Sequence, residues 1–318
     1  MRAVVIESDA LRLRVLPRLG AGMHGLSLRR GDGEWRPLLR ASPDLPEHFN
    51  SLACYLLAPW SNRVRGGKFR FAGREHAMRP DWPDGTAIHG LVKDKAWRIL
   101  DRSPVSVRLA FNSRDHAPTG YPAAFSCVAR YELDGATFRA SLAVTIDDGA
   151  VGRAPVGLGF HPFFPRRLWD ERDEVVVACR ASGPDAPRGL RGRYPCEGML
   201  PVGQATRDGV VKRLCEGTAL GGEFLDDVFA GSLDGAVIEW RASGVRVVFA
   251  CSPGLDHTVI YAGHDTAGKP LPFFCAEPVS MVNDGFNMLA EGLEGTGVRV
   301  LEPGGSFEVE WAMHVECV

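Results

Sequence analysis

Ser126–Ile146, SCVARYELDGATFRASLAVTI, decides the fold. Apolar and polar residues alternate on both sides of Asp134-Gly135, the period-two signature of two half-buried strands joined by a tight turn. The pattern repeats outward along the chain. Ala236–Cys251 alternates across Ala242-Ser243-Gly244, and Lys68–Met78 turns at Ala72-Gly73. Gly297–Val318 is expected to supply two more strands, the last being FEVEWAMHVECV, and Leu52–Trp60 reads by its length as a core strand.

Helical windows are scarce because 37 glycines and 22 prolines interrupt them. One short helix is expected around Pro46–Leu52. No alternation of strand with helix marks a βαβ fold, and neither a GxGxxG nor a P-loop is present. The Gly-, Pro- and Arg-rich stretch 181–198 reads as an excursion from a sheet rather than a linker. The expectation is all-β: a large antiparallel sandwich with few short helices, residues 1–318 forming a single domain.

Composition narrows the function. The 318 residues are 45% hydrophobic and 24% charged, with a net charge of −2, ordinary for a soluble globular protein. Arginine outnumbers lysine, but basic residues are scattered among acids, so neither nucleic acid nor an anionic membrane is an expected partner. Glu7 and Asp9 interrupt the first apolar stretch, which argues against a secretory leader. No apolar run approaches the ~18 residues of a membrane helix. Eight dispersed cysteines without a C-x-x-C read as reduced, mostly buried thiols, and the expected compartment is the cytoplasm.

Chemistry concentrates in a few polar residues set among aromatics, Pro and Gly. The segment PFFCAEPVSMVNDGFN, residues 272–287, places Glu277 in an apolar run with no helical charge partner. Desolvation there raises a carboxyl above its reference of ~4.3; the bland reading is a strand-end Glu facing solvent. Asn62 and Arg63 follow Trp60 in APWSNRVRGGKF, His89 precedes Gly90 in DGTAIHGLV, and His161 sits between Phe160 and Pro162 in GLGFHPFF. Asp226 and Asp227 adjoin in EFLDDVFAG. Taken singly, each histidine reads as a satisfied core residue, Arg63 as a surface ion pair and the aspartates as a turn or cap. Taken together, they suit a sugar pocket, with apolar faces for the ring and charged groups for its hydroxyls. A facial triad of His89, His161 and Glu277 is conceivable, but the one closely spaced pair, His314–Glu316, lies beside the C-terminus. No metal and no cofactor are expected. No G-x-S-x-G elbow occurs, and Cys275 reads as a packed thiol.

In this order the segments resemble those of the aldose 1-epimerases (galactose mutarotases). The Asn-Arg-Val of WSNRVRGGKF, the His-Gly of AIHGLV and GFHPFF are followed by LDDVF and FCAEPVSMVNDGFN; PRLGAG and GYPAAF are weaker echoes. The resemblance spans nearly the whole chain and implies a β-supersandwich with an open sugar cleft on one sheet. It further implies Glu277 as general base and His161 as general acid, on opposite sides of the ring, with Arg63, His89, Asp226 and Asn62 binding substrate. Asp226, not Asp227, stands three residues before Phe229 and matches the Asp-x-x-Phe pattern. The implied partner is a small aldose, and a monomer or homodimer is expected.

Asp147-Asp148 and VSMVND depart from the family pattern and leave the sugar open. A hexose 6-phosphate substrate would recruit arginines such as Arg63, Arg65, Arg166 and Arg167. A sugar-binding protein without catalysis, or a metal-dependent sandwich enzyme, are the readings from other classes.

Overall fold

A computed structural model describes residues 3–318; Met1 and Arg2, the start of the expected domain, lie outside the described residues. The hairpin that opened the sequence reading forms from Phe125–Asp134 and Thr137–Ile146, ten residues each, paired antiparallel from Phe125↔Ile146 to Asp134↔Thr137. Its turn is Gly135-Ala136, one residue later than expected, and Gly135 takes the positive φ of 52° that the tight connection needs. Phe125, Cys127, Ala129, Tyr131 and Leu133 face inward from one strand, and Phe138, Ala140, Leu142, Val144 and Ile146 from the other.

This hairpin lies in a nine-stranded sheet whose order continues through Ser306–Cys317, Val245–Cys251, Val237–Trp240, Val175–Ala178 and Thr218–Ala219. Ser106–Asn112 and Arg98–Arg102 extend its other edge. The twelve-residue Ser306–Cys317 strand joins the two hairpins expected from sequence by pairing with Thr137–Ile146 on one side and Val245–Cys251 on the other. A second, ten-stranded sheet runs Val4–Glu7, Leu11–Leu16, Gly22–Arg29, Cys54–Leu57, Gly159–Pro165, Phe273–Val279, His257–Ala262, Leu225–Ala230 and Gly192–Arg193, with Trp35–Pro37 alongside Gly22–Arg29. Neighbouring strands in both sheets are antiparallel, and the sheets pack face to face as a large β-sandwich.

One apolar layer fills the space between them. Trp311 of the first sheet is fully buried, its ring 5.6 Å from Phe160 of the second and 5.2 and 5.8 Å from Phe138 and Phe249. The 68–77 hairpin forms as read, with Ala72 and Gly73 both at positive φ. The 181–198 stretch adds the short Gly192–Arg193 strand to the second sheet's edge.

Helix is where the sequence reading falls short. The expected helix at Pro46–Leu52 is one 3-10 turn, Phe49–Ser51, capped by the His48 ring. Two α-helices escaped notice, Gly209–Glu216 and Gly285–Ala290. The first had a signal: the Asp208 carboxylate accepts from the N–H groups of Val210 and Val211, and Gly217 at φ 80° ends the helix. Among the described residues no helix is long and apolar enough to cross a membrane. All eight cysteines are free, and Cys54, Cys127, Cys179, Cys251 and Cys275 are buried.

The inter-sheet aromatic contact is open to direct test. Trp311→Ala should cost about 3–5 kcal/mol of unfolding free energy in denaturant titrations. Glu310→Ala, one residue away on the exposed face, should stay within about 0.5 kcal/mol.

Candidate active site

The strands at the middle of the ten-stranded sheet are buried on both faces. Phe160 and Phe164, Phe274 and Ala276, Ile260, and Phe229 point into the inter-sheet layer. Their neighbours point the other way, because side chains alternate along a strand. On that opposite face Tyr55, Phe163, Val228, Val259, Cys275 and Val279 form a second apolar cluster. His161, Asp226 and Glu277 share its face and line a cavity of about 370 Å³. Asn62, Arg63 and His89 line it from loops, so every site residue expected from sequence borders one cleft. The rest of the lining includes Asn50, Tyr55, Trp82, Tyr261 and Phe273.

Glu277 and His161 meet directly, Oε1 to Nε2 at 3.2 Å, with side chains 2% and 9% exposed. The carboxylate expected to lack a partner therefore has one, supplied by the adjacent strand. Burial pushes the Glu277 carboxyl well above the usual carboxylate range; the Asp226 charge adds to this and Arg63 opposes it. Burial also pulls the His161 imidazole down to about 3, with the Arg40 charge contributing. Both shifts favour the neutral forms, a protonated carboxyl beside an uncharged imidazole.

The imidazole is clamped by rings. It stacks on Tyr55 at 4.5 Å and on Phe163 at 4.6 Å, and His89 meets it edge-on at 4.9 Å. Beyond Phe163 lies the Arg40 guanidinium, 3.5 Å from the ring centroid and bonded to the carbonyls of Asn50 and Leu52. These contacts leave His161 little freedom except proton exchange at Nε2.

The opposite-sides arrangement does not survive this geometry, since no sugar ring fits between atoms 3.2 Å apart. The two groups instead lie side by side and face the cleft together. A pyranose satisfies such a pair because its O1 and ring oxygen are both bonded to C1.

Around the pair sit groups suited to hydroxyls. Arg63 is 13% exposed; its Nε donates to Asp84 at 2.7 Å and its Nη1 to Asn62 at 3.1 Å. Asn62 in turn accepts from the His89 backbone N–H at 2.8 Å through its own carbonyl. Asp226 faces the cavity, and burial raises its carboxyl to about 6. Asp227 points away and pairs with Arg193 at 3.0 Å. Burial drives the His89 ring well below its ordinary value, so it is neutral in the cleft.

Two other expectations resolve differently. Among the described residues the grouping compact enough to hold a metal is His161, Cys275 and Glu277, with ligand atoms within 4.8 Å of one another; His89 is outside it. Burial holds the Cys275 thiol protonated, which makes it a poor ligand. Arg166 donates to the carbonyls of Leu220 and Gly221, and Arg167 to Glu171, so neither lines the cleft. Arg65 reaches Asp284 and lies beside a separate cavity. Sequence reasoning missed Tyr55, Trp82 and Tyr261 in the lining. The i, i+2 spacing of Phe273, Cys275 and Glu277 was the available sign that a whole strand face was involved.

Comparison with known proteins bears on the family and the fold. Escherichia coli K12 YphB, an uncharacterized protein, is 26% identical over 294 residues, covering 90% of this chain and 92% of that one. The crystal structure of a galactose mutarotase-like protein from Clostridium acetobutylicum superposes with a TM-score of 0.81 at 18% identity, covering 99% and 95% of the two chains. That of galactose 1-epimerase from Lactobacillus acidophilus NCFM gives 0.73 at 18%, covering 99% and 94%. At such identities the structural likeness concerns the fold. The sequence family described as aldose 1-epimerase matches residues 2–314, and with that match across nearly its whole length the chain belongs to the aldose 1-epimerase family.

Proposed function

We propose that the protein is a single-domain aldose 1-epimerase that interconverts the α and β anomers of an uncharged aldose. The observation that carries this reading is the buried Glu277–His161 contact on the floor of a cleft lined with aromatic rings and hydroxyl-binding groups.

In the proposed cycle the proton first crosses from Glu277 to Nε2 of His161, giving carboxylate and imidazolium. Glu277 then removes the O1 proton while His161 protonates the ring oxygen. The C1–O5 bond breaks as C1=O1 forms. The pair is left neutral and still holds one proton, the form favoured by burial. Rotation about C1–C2 turns the other aldehyde face toward O5. Closure reverses the transfers: Glu277 returns a proton to O1 and His161 takes one from O5. Arg63 favours the carboxylate state of Glu277 and has N–H donors left, beyond those given to Asp84 and Asn62, for a sugar hydroxyl.

The electrostatics of the lining favour an uncharged sugar over a hexose 6-phosphate. Among the described residues Arg63 is the one Lys or Arg in the lining, and Asp84 already engages it. Asp226 and Glu277 face the same space, so an added phosphate meets acids without a free cation.

The test is polarimetry or NMR on freshly dissolved α-aldoses, run on a panel of sugars. Wild type should speed equilibration over buffer. Glu277→Gln and His161→Asn should each lose about 10²–10⁴-fold in kcat while thermal unfolding stays cooperative. If wild type accelerates no aldose or aldose phosphate, the enzymatic reading fails, and sugar binding without acceleration would point to a carbohydrate-binding protein.

Asp226 gives a pH prediction with opposite signs for activity and stability. As an acceptor for a sugar hydroxyl it works ionised, so kcat/KM should fall as pH drops through about 6, and Asp226→Asn should lack that limb. For stability, its folded pKa lies above the unfolded reference. The proton is therefore held more tightly in the native state, and stability is lost as pH rises from about 4 to 6. Asp226→Asn should accordingly stabilise by about 2 kcal/mol at pH 8 and by nearly nothing below pH 4, as read by urea denaturation at both pH values.

A further inference from the structure

We propose that Lys93 and Asp81 are positioning residues for His89, an ammonium–carboxylate clamp that fixes the imidazole in the cleft without touching substrate. His89 and Gly90 stand at positive φ, 59° and 76°. That conformation is unfavourable for a residue with a side chain, and persists only where its surroundings over-determine it. Gly90 is confined to glycine by space as well, because a Cβ there would lie 2.0 Å from the carbonyl oxygen of Ala58.

The restraint comes from behind the loop. The Lys93 ammonium is 4% exposed and donates to the carbonyl of Ile88 at 2.7 Å, that of Gly90 at 2.8 Å and the Asp81 carboxylate at 2.7 Å. The first two are the carbonyls on either side of His89. Three donors meet three acceptors, so the cation is fully satisfied. The second Asp81 oxygen accepts from the Ile88 N–H at 2.8 Å. One carboxylate thus fixes both the ammonium and the strand leading into His89. On the far side Lys93 lies 5.2 Å from the Phe49 ring, which packs edge-on against Tyr55, the residue stacked on His161. The clamp therefore supports both histidines from outside the cleft; neither Lys93 nor Asp81 lines it.

Placing a lysine here rather than an apolar side chain carries a desolvation cost, which its three hydrogen bonds offset. Burial lowers the ammonium's affinity for its proton, and the Asp81 charge opposes that. A neutral side chain would fill the space but leave two converging carbonyls unpaired and free to let the peptide groups flip.

The kinetic arm rests on the mutarotase reading; the spectroscopic arm does not. In sugar-free protein, long-range ¹H–¹⁵N imidazole spectra should show one sharp set of His89 signals, assigned by their loss in His89→Ala. Those signals should be displaced or split in Lys93→Met and Asp81→Asn. In the mutarotation assay Lys93→Met should lower kcat/KM about 10- to 100-fold and Asp81→Asn about tenfold. Both losses should shrink to less than about twofold when introduced into His89→Ala, because residues acting through one group are not additive. Should Lys93→Met fail to fold, Asp81→Asn, whose side chain is 40% exposed, carries both arms. Unchanged His89 signals in the variants that fold overturn the proposal, as do losses that multiply in full with His89→Ala. If wild type shows no mutarotation, the mutarotase reading fails separately and the spectra decide the clamp.

Discussion

Burial of the central strands on both faces is the constraint from which the rest of the molecule follows. Gly159–Pro165 and Phe273–Val279 pair antiparallel, with Phe163 opposite Cys275 and Gly159 opposite Val279. Phe160 is held against Trp311 in the inter-sheet layer, which leaves His161 no orientation but toward the cleft. A slip of one residue would exchange the two faces, putting His161 and Glu277 into the core and Phe160 and Ala276 into the cleft. The packing that stabilises the sandwich is thus the same packing that aims Glu277 and His161 at the cleft.

That arrangement imposes a low dielectric on three ionisable groups at once. Removing Glu277, His161 and Asp226 from water makes each charge expensive, and each shifts toward its neutral form. The cost is contained by sharing. Glu277 and His161 lie 3.2 Å apart, so a proton passed from one to the other would create or remove an ion pair without changing net charge. Arg63 and Asp226 act on Glu277 with opposite sign, one favouring the carboxylate and the other the acid. Burial dominates this balance and keeps the carboxyl well above the usual carboxylate range, with Arg63 the one opposing influence.

Much of this was legible before any coordinates. Period-two alternation gave the long hairpin and the 237–251 hairpin, since a half-buried strand must alternate. Glu277 stood out because a carboxyl among Phe273, Phe274 and Pro278 has no local compensation. What the sequence could not show was contact between residues distant along the chain. Glu277 seemed unpartnered because His161 lies on the neighbouring strand, and only the register brings them to 3.2 Å. The placement of acid and base on opposite sides of a ring failed for the same reason. Lys93 drew no notice because its partners are mainly backbone carbonyls, which leave no mark on composition. The Gly209–Glu216 helix was masked by its glycine-rich flanks, although Asp208 and Gly217 bracket it.

Backbone strain shows why so many loop residues converge on the cleft. Asn62, His89 and Asp284 are non-glycine residues at φ between 53° and 59°, and hydrogen bonds connect them. The His89 N–H donates to the Asn62 carbonyl, and the Asp284 N–H donates to the carbonyl of Arg63. Asp284 then accepts from the Arg65 N–H at 2.8 Å and from the Asn287 side chain at 2.7 Å, which ties the segment after Glu277 to the loop carrying Arg63. Each unfavourable φ costs about 1–3 kcal/mol in isolation, so none of the three would hold its conformation alone. Linked in this way, a relaxation at one position would have to break a bond at the next. The loop residues are thereby tied to one another across the chain, in a cleft assembled from seven separate segments.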